Sequence, residues 1–129
     1  MPQLDQDTAR EWIRRWDLQQ ENTLPDREER FTALIDAAEE GTGRKDPLII
    51  DLGCGPGSLS VRLLDRLPEA TVVAVDADPV MLVLAKAANA DRPGLRFVSV
   101  DLRHPGWAAK LNLDRPADAA VSTTALHWL

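Results

Sequence analysis

The sequence predicts an α/β fold built on a doubly wound parallel sheet, and three observations carry that expectation. Apolar and β-branched runs suited to buried strands recur at 47–50, 71–75, 95–100 and 119–123. Stretches with helical periodicity or helix caps lie between them, an alternation that calls for crossover connections and a sheet covered on both faces. Each of the first three runs ends on an acid (Asp51, Asp76 and Asp101), and a glycine-rich turn follows the first.

Taken in order, residues 1–43 form a helical segment that precedes the alternating part at 44–129. Thr8-Ala-Arg-Glu11 has capping-box spacing, and Trp12, Ile13 and Trp16 then share a helical face, the tryptophans as core anchors. Asp26-Arg-Glu-Glu29 caps a second helix, where Phe31, Leu34, Ile35 and Ala38 repeat at helical spacing. Leu24-Pro25 separates the two, and Gly41 and Gly43 end the second. After the first strand and its glycine turn, Leu59, Leu63, Leu64 and Leu67 mark a helix that Pro68 closes. Asp78 caps a further helix with Pro79 at its first position. Lys110-Leu-Asn-Leu finishes a short helix begun near Pro105, and Trp107 reads as its docking residue.

At 129 residues, with 44% hydrophobic and 28% charged residues, the chain has the length and composition of one globular domain. A net charge of −6, without a long single-sign block, argues against a phosphate-binding surface for nucleic acid. No apolar run reaches membrane-spanning length, and Cys54, the lone cysteine, fits a reducing compartment; a cytoplasmic protein is expected. Cys54 sits between two glycines with no histidine near it, so it reads as a packing residue rather than a nucleophile. His104, in a Pro-Gly turn, reads as solvated, and no metal site is expected.

In open parallel sheets, ligands sit beyond the carboxyl ends of the strands. Gly53, Gly55 and Gly57 let the backbone turn tightly and approach a ligand. Asp76, 21 residues beyond Gly55, stands where an acid takes two ribose hydroxyls, and Asp101 could accept from an exocyclic amine. The dinucleotide pattern G-x-G-x-x-G is incomplete: Ser58 or Ser60 stands where its last glycine belongs. Asp51 at the mouth of this loop would repel a pyrophosphate by roughly 1–4 kcal/mol at about 4 Å. A ligand bearing an ammonium and a sulfonium would be attracted instead, and S-adenosylmethionine has both.

The run Asp51-Leu-Gly53-Cys-Gly55-Pro-Gly57 resembles the first motif of class I S-adenosylmethionine-dependent methyltransferases. "VVAVDADPVML" resembles their second motif, "FVSVDLR" their adenine-reaching segment, and "DAAVSTTALHWL" the fourth-strand segment of small-molecule members. The resemblance implies a Rossmann-like fold of the class I methyltransferase type, S-adenosylmethionine as cofactor and a small-molecule methyl acceptor. By position it implies that Asp51, Gly53, Gly55 and Gly57 hold the methionine portion, Asp76 and Ala77 the ribose, and Asp101 and Leu102 the adenine. It makes the leading helix a lid, with Trp16, Gln19 and Gln20 as candidates, and puts His127 on the acceptor side. The family's usual sheet has more strands than this chain has room for. The expectation is therefore a sheet truncated after the fourth strand, whose unpaired edge invites self-association. The alternatives are an NAD(P)-dependent oxidoreductase and a non-catalytic cofactor-binding or interaction module. No catalytic residue is assigned.

Overall fold

A computed structural model describes residues 4–123. Helix α1 (Gln6–Thr23) and helix α2 (Arg27–Thr42) lead into strand β1 (Leu48–Leu52) and helix α3 (Ser58–Arg66). Strand β2 (Thr71–Asp76), helix α4 (Pro79–Ala88), strand β3 (Leu95–Ser99), a 3-10 segment (Trp107–Leu111) and strand β4 (Ala119–Val121) complete the order. The strands form one parallel sheet in the order β3-β2-β1-β4.

Local chemistry explains most boundaries. Asp78 accepts hydrogen bonds from the Val80 and Met81 amides, and Pro79 opens α4 with φ already fixed. Gly43 caps α2 in the left-handed region at φ 61°. The start of α1 differs from the sequence expectation: Asp5, not Thr8, is its N-cap and accepts from the Thr8 amide at 2.8 Å. An ionised carboxylate three residues upstream outcompetes the hydroxyl, and Thr8 donates its own Oγ to Asp5 as well. Glu11 is consequently free to pair with Arg14 and Arg15 on the solvent face. At α2, Asp26 occupies the cap position without a side-chain cap bond.

The core has two main layers. Phe31, Ile35 and Ala38 of α2 pack with Leu59, Leu63 and Leu64 of α3 against Ile49, Val72 and Val121 of the sheet. The opposite sheet face, Leu48, Ile50, Val73 and Val75, is covered among the described residues by Leu111, Trp107, Leu102 and Leu113 around the 3-10 segment. Trp107 thus docks a short helical segment as expected. Trp12 does not anchor the core; it is 54% exposed. Helix α1 packs chiefly along α4, where Gln6 and Arg10 donate to the Ala88 carbonyl, and Trp12 stacks instead under the Arg15 guanidinium at 5.8 Å.

Candidate functional site

Strand order decides where the site lies. From β1 the sheet grows through β2 to one side and through β4 to the other, so the reversal point is the carboxyl end of β1. Asp51 and the glycine loop stand there. Parallel register sets Asp51 against Ala74 and Val121, while Asp76 closes β2 opposite Ser99. The first two acids therefore line one edge, and Asp101 follows two residues after β3.

The loop is held by β2. The Gly53 and Cys54 amides both donate to the Val75 carbonyl, at 2.8 and 2.9 Å, and the Gly55 amide donates to Asp76 Oδ2 at 2.7 Å. Gly53, Gly55 and Gly57 all take positive φ, at 73°, 55° and 92°. Their reasons differ beyond that. A Cβ on Gly57 would come within 3.3 Å of the Phe97 ring, whereas a Cβ on Gly55 would point into open space. Gly55 thus leaves room for a ligand, and Gly57 lets helix α3 start close to the sheet.

The three acids differ sharply in setting. Asp51 is 1% exposed and accepts from Ser60 Oγ at 2.7 Å. Burial pushes its carboxyl up to about 6, against the Ser60 hydrogen bond, and the charge of Asp76 adds to the rise. It is therefore the floor of the site rather than an open carboxylate at its mouth. Asp76 is half-buried and accepts from the Gly55 and Asp78 amides, with Ala77 exposed beside it. Asp101 is paired with its neighbour Arg103, whose guanidinium and amide hold the carboxyl down to about 2. The Leu102 side chain turns to the core. Cys54 packs with Ala74 and Leu82, and burial pushes its thiol far above the usual range, which makes it inert as a nucleophile. His104 is exposed, as expected.

A cavity of about 110 Å³ opens between the glycine loop and the two leading helices. Asp51, Gly53 and Gly55 meet Trp16 and Gln20 of α1 and Arg30 of α2 there. Asp76 and Asp101, at the strand ends, and Gln19, exposed on α1, do not line it. His127 lies outside the described residues.

Four residues that hold the site together, Asp17, Arg27, Ser58 and Ser60, were not singled out as site residues from the sequence. Asp17 of α1 accepts from Ser58 Oγ at 2.7 Å and from Arg27 at 2.9 Å, tying both leading helices to the first residue of α3. Arg27 in turn lies over the Phe31 ring at 4.6 Å. Ser60 was legible only as a missing glycine, and Asp17 and Ser58, 41 positions apart, meet through tertiary packing alone.

Residues 49–129, more than half of the chain, match the family described as the methyltransferase domain. The chain belongs to that family. This methyltransferase domain is 41% identical over 81 residues to a trans-aconitate 2-methyltransferase from Mycobacterium tuberculosis, covering 63% of this chain and 27% of that protein. The enzyme of the same name from Streptomyces coelicolor is 38% identical over 86 residues, covering 64% and 26%. The domain thus spans about a quarter of the length of the curated relatives it matches. Among solved structures it resembles an S-adenosylmethionine-bound amino pentose methyltransferase from Micromonospora echinaspora, with TM-score 0.60 and 24% identity over 78% of this chain and 38% of that one. A coclaurine N-methyltransferase bound to N-methylheliamine and S-adenosylhomocysteine gives TM-score 0.55 and 16% identity over 71% and 26%. These likenesses establish the fold as that of class I methyltransferases. No described helix is long and apolar enough to cross a membrane.

Proposed function

We propose that this methyltransferase domain binds S-adenosylmethionine across the carboxyl ends of β1, β2 and β3 and serves methyl transfer to a small-molecule acceptor. The observation that carries the reading is the buried Asp51 beneath an open glycine loop at the point where strand order reverses. A carboxylate there favours an ammonium and opposes a pyrophosphate. The methionine portion falls to Asp51, Gly53, Gly55 and Gly57, the ribose to Asp76 with Ala77, and the adenine to Asp101 with Leu102. Trp16 and Gln20, which line the cavity, form the lid over the amino-acid end.

S-adenosylmethionine, when bound, supplies a methyl group on a good leaving group. What remains for the protein is placement and exclusion of water, so proximity supplies much of the rate, and a base is needed only where the acceptor must lose a proton. The Gly55 and Asp78 amides fix the Asp76 carboxylate, whose two oxygens keep further lone pairs with which to accept from a ligand's hydroxyls. The relatives' name, trans-aconitate 2-methyltransferase, makes a small organic acid the first acceptor to try. The net charge of −6 supports a small-molecule acceptor over a nucleic acid. Calorimetric titration tests the core of the reading: S-adenosylhomocysteine should bind and NAD should not. Binding of NAD alone would sink it. Methyl transfer assayed over a panel of small acids and phenols then identifies the acceptor.

A further inference from the structure

The acids at the ends of β2 and β3 are held side by side and satisfied unequally. The Val100 amide donates to the Asp76 carbonyl at 3.0 Å, which sets Asp101, the next residue, beside the end of β2. Leu102 anchors the following turn in the core, and the His104 amide closes it on the Asp101 carbonyl at 3.0 Å. Arg103 then folds back on Asp101. Its amide and Nε donate to Oδ1 at 2.9 and 3.1 Å, and its Nη2 donates to Oδ2 at 2.9 Å.

An ionised carboxylate offers about four lone-pair positions, shared equally by its oxygens. On Asp76 the Gly55 amide takes one at Oδ2 and the Asp78 amide one at Oδ1, so each oxygen keeps one. On Asp101, among the described residues, Oδ1 is filled and Oδ2 is half filled, which leaves a single acceptor position. Two positions on one acid and one on the next match a vicinal diol and a single N–H. The Arg103 side chain creates the difference, because its amide alone would occupy only one position on Oδ1.

Stability is not what this pair supplies. Its side chains are 70% and 42% exposed, and an ion pair so open to water contributes little to the fold. What a forked guanidinium does fix is the plane of the carboxylate. The Arg103 side chain, and then its amide, also hold the carboxyl down to about 2, so Oδ2 stays an acceptor.

We propose that Arg103 is a positioning residue for the cofactor's purine, which holds the one open position of Asp101 Oδ2 for an N–H of the 6-amino group. The assignment rests on the S-adenosylmethionine reading above and deepens it by naming what selects the base. A 6-amino purine presents a donor to that position, whereas a 6-oxo purine presents a second acceptor and is repelled.

The test is calorimetric titration of the chain and of its Arg103→Met and Arg103→Lys variants with two probes. One is S-adenosylhomocysteine; the other is its analogue with hydrogen in place of the purine 6-amino group. The wild-type chain should prefer S-adenosylhomocysteine by about 10- to 100-fold, the worth of one hydrogen bond to a charged group. Arg103→Met keeps an apolar stem without the donors and should lose most of that preference, with affinity for the analogue unchanged. Arg103→Lys should retain part of it, since an ammonium is a point charge rather than a fork. An undiminished preference in Arg103→Met overturns the assignment alone. So does a gain in S-adenosylhomocysteine affinity in that variant, which makes Arg103 a competitor of the base, and so does an equal loss for both probes, which marks a disturbed turn. A wild-type chain that binds both probes equally removes the base from Asp101 and the assignment with it. Failure to bind either probe overturns the assignment together with the cofactor reading. Arg103 is exposed, and thermal melts that coincide with wild type show that the variants fold.

Discussion

Asp51 gives the molecule its pH behaviour. Its carboxyl is raised from the ordinary 3.8 to about 6 by burial, then by the charge of Asp76, with Ser60 opposing. Between those values the folded chain keeps a proton that the unfolded chain has released. The stability linked to this group is thus whole below about 4 and declines as pH rises to about 6. Asp51→Asn removes the burden and keeps an acceptor for Ser60. At neutral pH the variant should be more stable than wild type by on the order of 2–3 kcal/mol, with the difference vanishing towards pH 4. Urea denaturation across that range measures it. Binding runs the other way, because an ammonium favours the ionised form. Affinity of the wild-type chain for S-adenosylhomocysteine should rise with pH through about 6 and be weak and flat in Asp51→Asn.

Among the elements, the glycine loop and the leading helices carry separable loads. Gly57→Ala combines a φ of 92° with a Cβ 3.3 Å from the Phe97 ring. It should cost about 1–3 kcal/mol of stability and displace the start of α3. Gly55→Ala meets no protein atom, so its stability cost should stay near 1 kcal/mol, from backbone strain alone. Its larger effect should be on S-adenosylhomocysteine affinity, because the added methyl fills the open side of the loop. Thermal melts and titrations of the two variants should therefore rank them in opposite order. The Asp17 bridge ties α1 to the start of α3 through Ser58 and to α2 through Arg27. Asp17→Ala should cost about 1–3 kcal/mol, and a double-mutant cycle with Ser58→Ala should show coupling above about 0.5 kcal/mol.

At the scale of the molecule, the proposed ligand site is shared between the sheet edge and the leading helices, whose residues line one cavity. A ligand seated there binds the folded state alone and should stabilise it by about 2.7 kcal/mol at a hundredfold excess over Kd. The melting temperature should rise accordingly with S-adenosylhomocysteine and stay constant with NAD. Amide exchange should slow in the glycine loop and in the second half of α1 together, since Trp16 and Gln20 line the same cavity as Gly53 and Gly55. Protection confined to the loop would remove the lid role from α1.

The strands, most of the helices and the three acids at the sheet edge were legible in the sequence because each is fixed by short-range chemistry. Runs such as 71–75 are too apolar to lie anywhere but inside, Asp78-Pro79 stops and starts the chain by its own hydrogen bonds, and three glycines within five residues admit few backbones. The same locality misled at α1, where Asp5 rather than Thr8 caps the helix and Trp12 faces solvent. Helical periodicity defines a face without saying what covers it. Only the tertiary structure decided that β4 lies beside β1, which places the reversal of strand order at Asp51, and that Asp51 is buried rather than open. Burial depends on flanking strands and on Ser60, and a carboxyl's ionisation follows its surroundings more than its neighbours in sequence. The Asp17 bridge is likewise a product of packing between elements far apart in the chain.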